Sequence, residues 1–219
     1  MTKQVKIGNV VIGGGNPVVI QSMANIKTSK IDDVVRQIAE LEVLGCDIIR
    51  VSVKDDDDVK ALSEIKKRIS IPLVADIHFN YKYALKAIDS GVDKIRINPG
   101  NIGSEKNVEE VARALIHSDV AVRVGSNSGS IEKEFLAKYG RSEVSLAESA
   151  LKNVSALERY GVDKIVLSAK ASNVPLTVKT YEYLNKKTDY PLHVGVTEAG
   201  TYNSGLVKSS IGIGSLLLK

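Results

Sequence analysis

Apolar residues in this sequence follow two spacings that alternate along the chain. Short, β-branched runs such as PVVIQ, DIIRVSV, PLVADIH and DKIRIN are typical of strands buried in a parallel sheet. Between the runs, apolar residues three and four positions apart predict amphipathic helices, with Val34, Ile38 and Leu41 on one helical face. The strands are predicted near 18–22, 47–53, 72–77, 93–98, 120–125, 163–168 and 191–196.

A recurring phrase supports this alternation. Each copy predicts a helix that ends at a glycine, then a short turn and a buried strand. The copies are Gly45-Cys46-Asp47-Ile48-Ile49-Arg50, Gly91-Val92-Asp93-Lys94-Ile95-Arg96 and Gly161-Val162-Asp163-Lys164-Ile165-Val166. Two helix starts are also predicted, because Ser145 and Glu148 have capping-box spacing and Asn173 can cap a helix with Pro175 in its first turn.

Alternating strands and helices leave two α/β architectures, a doubly wound open sheet and a TIM (β/α)8-type barrel. We favour the barrel, because about seven βα units are present and no GxGxxG follows the first strand. Residues 1–219 are expected to form one domain, with an N-terminal β-hairpin around Gly8-Asn9 that closes the barrel floor. The sequence ends at Lys219 before an eighth strand, so we expect a truncated barrel whose open edges make the chain marginally stable or self-associating.

Composition excludes several classes of protein. With 43% hydrophobic residues in 219, the chain is not a disordered polymer, and no apolar run reaches the length of a membrane-spanning helix. A net charge of +4 and 5% aromatic residues give no sign of a nucleic-acid partner. The lone cysteine, Cys46, and an N-terminus without a secretory signal predict a cytoplasmic protein.

The candidate site follows from the barrel, because TIM-barrel active sites lie at the C-terminal ends of the strands. Side chains two residues apart on a strand share a face, so Asp76 is expected beside His78 and Ser168 beside Lys170. The candidates are Arg50, Ser52, Asp76, His78, Arg96, Asn98, Arg123, Asn127, Ser128, Ser168, Lys170, Thr197 and Glu198.

Three of these candidates are arginines inside aliphatic strands: Arg50, Arg96 and Arg123. An unpaired guanidinium in a protein interior costs several kcal/mol. One interpretation is that each arginine pairs with an internal acid such as Asp76 or Glu198. Because too few acids lie on the same strand ends, we instead predict a polyanionic ligand, and a diphosphate suits the guanidinium fork.

The remaining titratable groups are expected to be structural. His117 is expected at the surface, His193 early in the seventh strand and far from the mouth, and Cys46 as an inert buried thiol. Residues 55–58, four aspartates, are expected at the positive end of the second helix. The sequence contains no cluster of cysteines and histidines with metal-ligand spacing.

Motifs along nearly the whole chain match one enzyme family in order. They are VVIQSM at 18–23, GCDIIRV at 45–51, ADIHF at 75–79, KIRINPGNIG at 94–103, VRVGSNSGS at 122–130, LSAKAS at 167–172 and GVTEAG at 195–200. On these motifs the chain resembles the 4-hydroxy-3-methylbut-2-enyl diphosphate synthases of the non-mevalonate isoprenoid pathway.

The resemblance implies a reductive opening of 2-C-methyl-D-erythritol 2,4-cyclodiphosphate with loss of a hydroxyl. It implies a 4Fe–4S cluster as cofactor and reduced flavodoxin or ferredoxin as electron donor. The residues that match diphosphate-binding positions are Arg50, Arg96, Arg123, Lys170 and Asn127. Glu198 matches a candidate proton donor, and Asp76, His78, Asn98 and Ser168 are expected to line the same mouth.

The resemblance also implies parts that residues 1–219 lack. These are an eighth strand with further phosphate ligands and a C-terminal domain whose cysteines hold the cluster and which caps the partner's barrel in a homodimer. We therefore expect the chain to be an N-terminal barrel portion that is inactive alone. Two alternatives stay open, a dihydropteroate-synthase-like barrel that binds a pterin diphosphate and a shortened, non-catalytic diphosphate-binding module.

Overall fold

The computed structural model describes residues 2–219, and its elements alternate as the apolar pattern predicts. The strands are β1 Val5–Ile7, β2 Val10–Ile12, β3 Gln21–Met23, β4 Ile48–Val53, β5 Leu73–Ile77, β6 Lys94–Arg96, β7 Ala121–Asn127 and β8 Ile165–Lys170. The helices are α1 Ile31–Val43, α2 Asp56–Arg68, α3 Tyr81–Asp89, α4 Glu105–Ile116, α5 Lys133–Tyr139, α6 Glu143–Glu158, α7 Val174–Asn185 and α8 Tyr202–Leu217.

Six strands form one parallel sheet in the order β3-β4-β5-β6-β7-β8, as a TIM-type barrel requires. Apolar residues such as Ile49, Ile95 and Leu167 face the helices and build the main core. The sheet curls strongly. The ammonium of Lys94 on β6 lies 2.8 Å from the Gln21 side chain on β3, three strands away, a contact that a flat sheet could not make. The other face of the sheet therefore encloses an interior, and the α/β barrel prediction is confirmed.

The first and last predicted barrel strands differ from the structure. The first is shifted to Gln21–Met23, and Val18 and Ile20 before it are 68% and 59% exposed. The predicted strand at 191–196 is wrong as a strand, since only Leu192 pairs, in an isolated parallel bridge with Leu167. Both segments lie at an edge of the sheet and have a hydrogen-bonding neighbour on one side only, which explains why little regular strand forms there.

The N-terminal hairpin forms where the sequence predicts it. β1 and β2 pair antiparallel, and Gly8 takes the positive φ of +58° that the tight turn needs. Val5 and Ile7 are buried against the N-terminal ends of the barrel strands. Their partners there are Ile48, Val74, Ala121 and Val166. The hairpin thus closes one end of the barrel and leaves the C-terminal end open.

One of the two predicted helix starts is confirmed, and the aspartates at 55–58 lie at the start of α2 as expected. The Asn173 side chain accepts the Leu176 N–H at the start of α7, and the Asp55 side chain accepts the Asp58 N–H at the start of α2. The prediction of Ser145 as a cap is wrong: α6 begins one turn earlier, and Ser142 caps it. Ser145 completes that capping box, because its hydroxyl accepts the Ser142 N–H.

An open cleft separates β3 from the segment at 191–196. It has a volume of about 870 Å³ and is lined by both segments, by interior side chains and by the inner face of α8. Apolar side chains border it on the outside, including Val18 and Ile20. Between residues 2 and 219, none of the helices has the length and apolarity needed to cross a membrane.

We predict that the 219-residue chain self-associates through this cleft, because both of its borders carry unpaired strand edges beside apolar surface. Light scattering over a range of concentrations should give a mass above that of the monomer. Val18→Lys with Ile20→Lys should lower that mass by placing charge on the edge. Val43→Lys, at an 87% exposed position on α1, is the matched control and should leave it unchanged. A monomer with a cooperative transition at high temperature contradicts the prediction.

We predict that Gly125→Ala destabilises the fold by about 3 kcal/mol through steric overlap. Gly125 has φ +153°, and an added Cβ would lie 1.7 Å from the Ser168 carbonyl oxygen on β8. Neither backbone can move away, because β7 and β8 are paired at this position. Gly129→Ala, where no atom lies within 4 Å, is the control. Urea unfolding of both variants provides the measurement, and equal stabilities would show that the strands can separate.

Candidate functional site

The barrel interior collects charged side chains from every second residue of adjacent strands. The ladder places Asp76 on β5 opposite Arg96 on β6, and Arg96 opposite Arg123 on β7. The intervening residues belong to the core under the helices, so these polar side chains face inward. The interior cations are Arg50, Lys94, Arg96, Arg123 and Lys170.

One carboxylate, Asp76, is shared by three of the predicted site residues. Its oxygens lie 3.7 Å from Nε of Arg50, 3.3 Å from a terminal nitrogen of Arg96 and 3.4 Å from Nε2 of His78. Asp76 itself is 3% exposed. The interpretation that each arginine has its own acid is therefore wrong, because one acid serves two arginines.

Arg123 has no such partner among residues 2–219. Its side chain is 4% exposed, and one terminal nitrogen is buried without a hydrogen bond. Burial, reinforced by the positive charges of Arg50 and Arg96, lowers the pKa of Arg123 to about 9. Leaving a buried guanidinium donor unsatisfied costs at least about 1–3 kcal/mol, and an anion at this position would remove that cost.

Two interior lysines experience the same surroundings. Burial, followed by the charges of Arg123, Arg50 and Arg96, lowers the pKa of Lys170 to about 7. Lys94 is 1% exposed and donates a hydrogen bond of 2.8 Å to the Gln21 side chain. Sequence reasoning missed Lys94, although a signal existed: it lies two residues before Arg96, on the same face of one strand.

His193 lines the open cleft, next to the interior basic residues. Burial, and then the charges of Arg123, Lys170, Lys94 and Arg50, hold the pKa of its imidazole well below the ordinary value. The ring therefore lies among the interior cations and stays neutral. The sequence of the segment at 191–196 does not reveal this position, because the direction of a side chain near a sheet edge depends on the local pairing.

The predicted mouth residues are less tightly held. The His78 side chain is 42% exposed, and the Asn98 side chain accepts the Gly100 N–H in the loop after β6. Ser168 is 8% exposed and lies 3.5 Å from the Val124 carbonyl oxygen, whereas Asn127 is half-buried at the end of β7. His78, Asn98 and Asn127 lie farther toward the open end than Asp76, Arg96 and Arg123 on their strands, whereas Ser168 precedes Lys170 on β8.

Glu198 lies apart from the cation cluster. It is exposed, and it has a positive φ of +48°, which is uncommon for a residue with a side chain. The structure brings it into no ion pair within residues 2–219. The loop after the segment at 191–196 holds Glu198 in this conformation at the rim of the barrel.

The arrangement suits a ligand with at least two negative charges. Five interior basic side chains face one carboxylate, and donors on four strands converge on one space. Within the described range 2–219, no three histidine, cysteine, aspartate or glutamate side chains lie close enough to hold a metal ion. Cys46 is buried at the opposite end of its strand, where its sulfur lies 3.1 Å from the Ile48 carbonyl oxygen. The described residues therefore do not fit a 4Fe–4S cluster.

Comparison with known proteins identifies close relatives. A 4-hydroxy-3-methylbut-2-en-1-yl diphosphate synthase (flavodoxin) of Caldanaerobacter subterraneus subsp. tengcongensis is 54% identical over 99% of this chain and 61% of that protein. The protein of the same name from Caldicellulosiruptor saccharolyticus is 54% identical over 100% of this chain and 63% of its own length. The chain thus spans about six tenths of the length of these relatives.

Solved structures share the fold at low sequence identity. The 7,8-dihydropteroate synthase of Vibrio fischeri superposes with a TM-score of 0.68 at 13% identity, covering 95% of this chain and 87% of that one. The 3-dehydroquinate dehydratase of Geobacillus kaustophilus gives 0.65 at 16%, covering 94% and 83%. At such identities the likeness concerns the fold alone.

Residues 2–219 match the GcpE TIM-barrel domain, so this chain belongs to the GcpE TIM-barrel domain family.

Proposed function

We propose that this chain is the substrate-binding barrel of an enzyme that reductively converts 2-C-methyl-D-erythritol 2,4-cyclodiphosphate to 4-hydroxy-3-methylbut-2-enyl diphosphate. The observation that carries the proposal is the buried, unpartnered guanidinium nitrogen of Arg123 in a cluster of cations that share one acid. The name of the relatives, a 4-hydroxy-3-methylbut-2-en-1-yl diphosphate synthase, supports the choice of diphosphate.

In this proposal, the interior basic residues bind the two phosphates, and Asp76 positions two of the arginines. Arg123 and Lys170 contribute charge without an internal partner, and Asn127 adds an amide at the end of β7. Asp76 orients Arg50 and Arg96 toward the ligand, since its two oxygens are engaged by both. His78, Asn98 and Ser168 line the space above, toward the open end of the barrel.

The same groups promote ring opening. When the carbon–oxygen bond to one phosphate breaks, negative charge develops on the departing phosphate oxygen, and preorganised cations stabilise it. The hydroxyl that leaves the sugar carbon needs a proton, and we propose Glu198 as its donor. Glu198 is already at the rim, so closure of the site over the substrate has to bring it inward.

The two electrons are the contribution of the 4Fe–4S cluster that the resemblance implies. Residues 2–219 do not fit the cluster and therefore supply no electrons themselves. For the whole protein we propose flavodoxin or ferredoxin as donor, a homodimer, and the cytoplasm as compartment. Flavodoxin is supported by the relatives, which are named as flavodoxin-dependent enzymes. We expect residues 1–219 alone to bind substrate without turnover.

The two alternatives make different predictions. A dihydropteroate-synthase-like barrel is favoured only by its likeness in fold to this chain, and it would prefer a pterin diphosphate. A non-catalytic module would bind the cyclodiphosphate and remain inactive even when a cluster domain is supplied. Competition between the two diphosphates, followed by reconstitution, separates these cases.

We predict that Arg123→Ala weakens cyclodiphosphate binding about 10- to 100-fold, because it removes charge-assisted hydrogen bonds to phosphate. Isothermal titration calorimetry of the chain provides the measurement, and affinity should fall as salt is added. The control is Arg159→Ala, which removes an exposed arginine that pairs with Glu105. A folded chain that does not bind, or an unchanged affinity in the variant, would falsify the proposal.

We predict that Asp76→Asn lowers the free energy of unfolding by about 2–4 kcal/mol, because Arg50 and Arg96 lose their carboxylate. Inorganic diphosphate should restore more stability to this variant than to the wild-type chain, since the anion replaces the missing charge. Urea unfolding with and without diphosphate tests both points. Asp119→Asn, which breaks an exposed ion pair with Lys164, should leave stability unchanged.

A further inference from the structure

Lys94 is an interior cation to which the proposed substrate binding gives no role. It pairs in register with Val74 on one side and Ala121 on the other, and both belong to the apolar floor above the hairpin. Lys94 therefore lies beneath Arg96, two residues closer to the closed end of the barrel. A cation in an apolar floor needs a physical reason.

The surroundings of the ammonium are almost entirely positive. Its hydrogen-bond partner is the neutral Gln21 side chain, at 2.8 Å. Burial, then the charges of Arg123, Arg50 and Lys170, lower the pKa of Lys94 well below its ordinary value. Asp76 is engaged with Arg50 and Arg96 and makes no ion pair with it. The titratable and charged groups on the surrounding elements are Arg50, Asp76, Arg96, Arg123, Lys170 and His193.

We propose that Lys94 is a positioning residue for the diphosphate: a buried lysine beneath the arginines that takes up a proton as the dianion enters the barrel. This inference rests on the proposed function, because it requires a diphosphate held above Lys94. In the free chain, a charged Lys94 would add to an uncompensated excess of positive charge. The bound dianion offsets the surrounding positive charge, so the ammonium becomes favourable and draws the phosphates toward the floor.

The sign of the pH dependence follows from the lowered pKa. Between that value and the ordinary pKa of 10.5, Lys94 is neutral in the folded chain and charged in the unfolded chain. Unfolding then takes up a proton, so this group makes the free chain more stable as pH rises through the window. Ligand binding takes up a proton in the same window, so affinity for the diphosphate falls as pH rises.

Calorimetry with the cyclodiphosphate at about pH 8, in buffers of different ionisation enthalpy, counts the protons taken up. Each phosphorus of this ligand carries one strongly acidic group that stays ionised, so the protons end on the protein. His193 starts with a pKa far below this pH and contributes little. Lys170, with a pKa of about 7, can also take up a proton, so the difference between variants, and not the total count, reports on Lys94. We expect Lys94→Met to take up fewer protons than the wild-type chain, by about one, and to bind roughly tenfold more weakly.

Lys164→Met is the matched control. Lys164 occupies the same place as Lys94 in the recurring phrase, but its ammonium pairs with Asp119 and the Ser118 carbonyl, away from the interior. The affinity and the proton count of the Lys164→Met variant should equal those of the wild-type chain. Lys94→Gln gives a second comparison if the methionine variant does not fold.

The outcomes separate this inference from the proposed function. A folded wild-type chain that does not bind the cyclodiphosphate contradicts the proposed function and, with it, the inference. If Lys94→Met binds with the same proton count as the wild-type chain, the inference alone is contradicted. If Lys94→Met loses stability without a change in proton count, the lysine is purely structural, and the inference is again contradicted. A charged Lys94 in the free chain at pH 8, read from the carbon-13 shift of its Cε, also overturns it.

Discussion

An excess of positive charge inside a closed-bottomed barrel is the constraint on which the rest of the structure depends. Arg50, Arg96 and Arg123 project from strands whose other face is largely apolar, so the sheet cannot turn them outward without exposing its core. The hairpin closes the floor and prevents water from reaching them from below. The charge is therefore compensated from the open end or through the cleft, by solvent or by an anion.

The strand period explains how one sequence satisfies both faces. Along β4, Ile49, Val51 and Val53 are buried under the helices, while Arg50 and Ser52 between them face inward. Helix packing fixes the register of each strand, and this register sets the heights of the interior side chains. The stability of the core thus supports the precision of the site, even though no site residue contributes to that core.

The sequence predicts the alternation of elements, the hairpin and the inward arginines, because these depend on local periodicity. It does not predict which charges meet. That Asp76 serves both Arg50 and Arg96 follows from the stagger between β4, β5 and β6, which no single strand records. The bridge at Leu192 and the position of His193 depend on the sheet edge, where pairing is weakly specified. The two-residue period of a strand does predict that Lys94 faces the interior, because it precedes Arg96 by two residues on β6.

The open cleft and the charge cluster are linked through water. Lys170 and His193 line the cleft between β3 and the segment at 191–196, as does the Gln21–Lys94 pair. Solvent that enters the cleft reaches the partly exposed Lys170 and His193 and weakens their field at the ligand, whereas Lys94 is buried. A segment that covers the cleft would remove this water, which strengthens the attraction for a dianion and raises the cost of leaving the site empty. The diphosphate affinity of residues 1–219 is therefore a lower limit for a barrel closed along this edge.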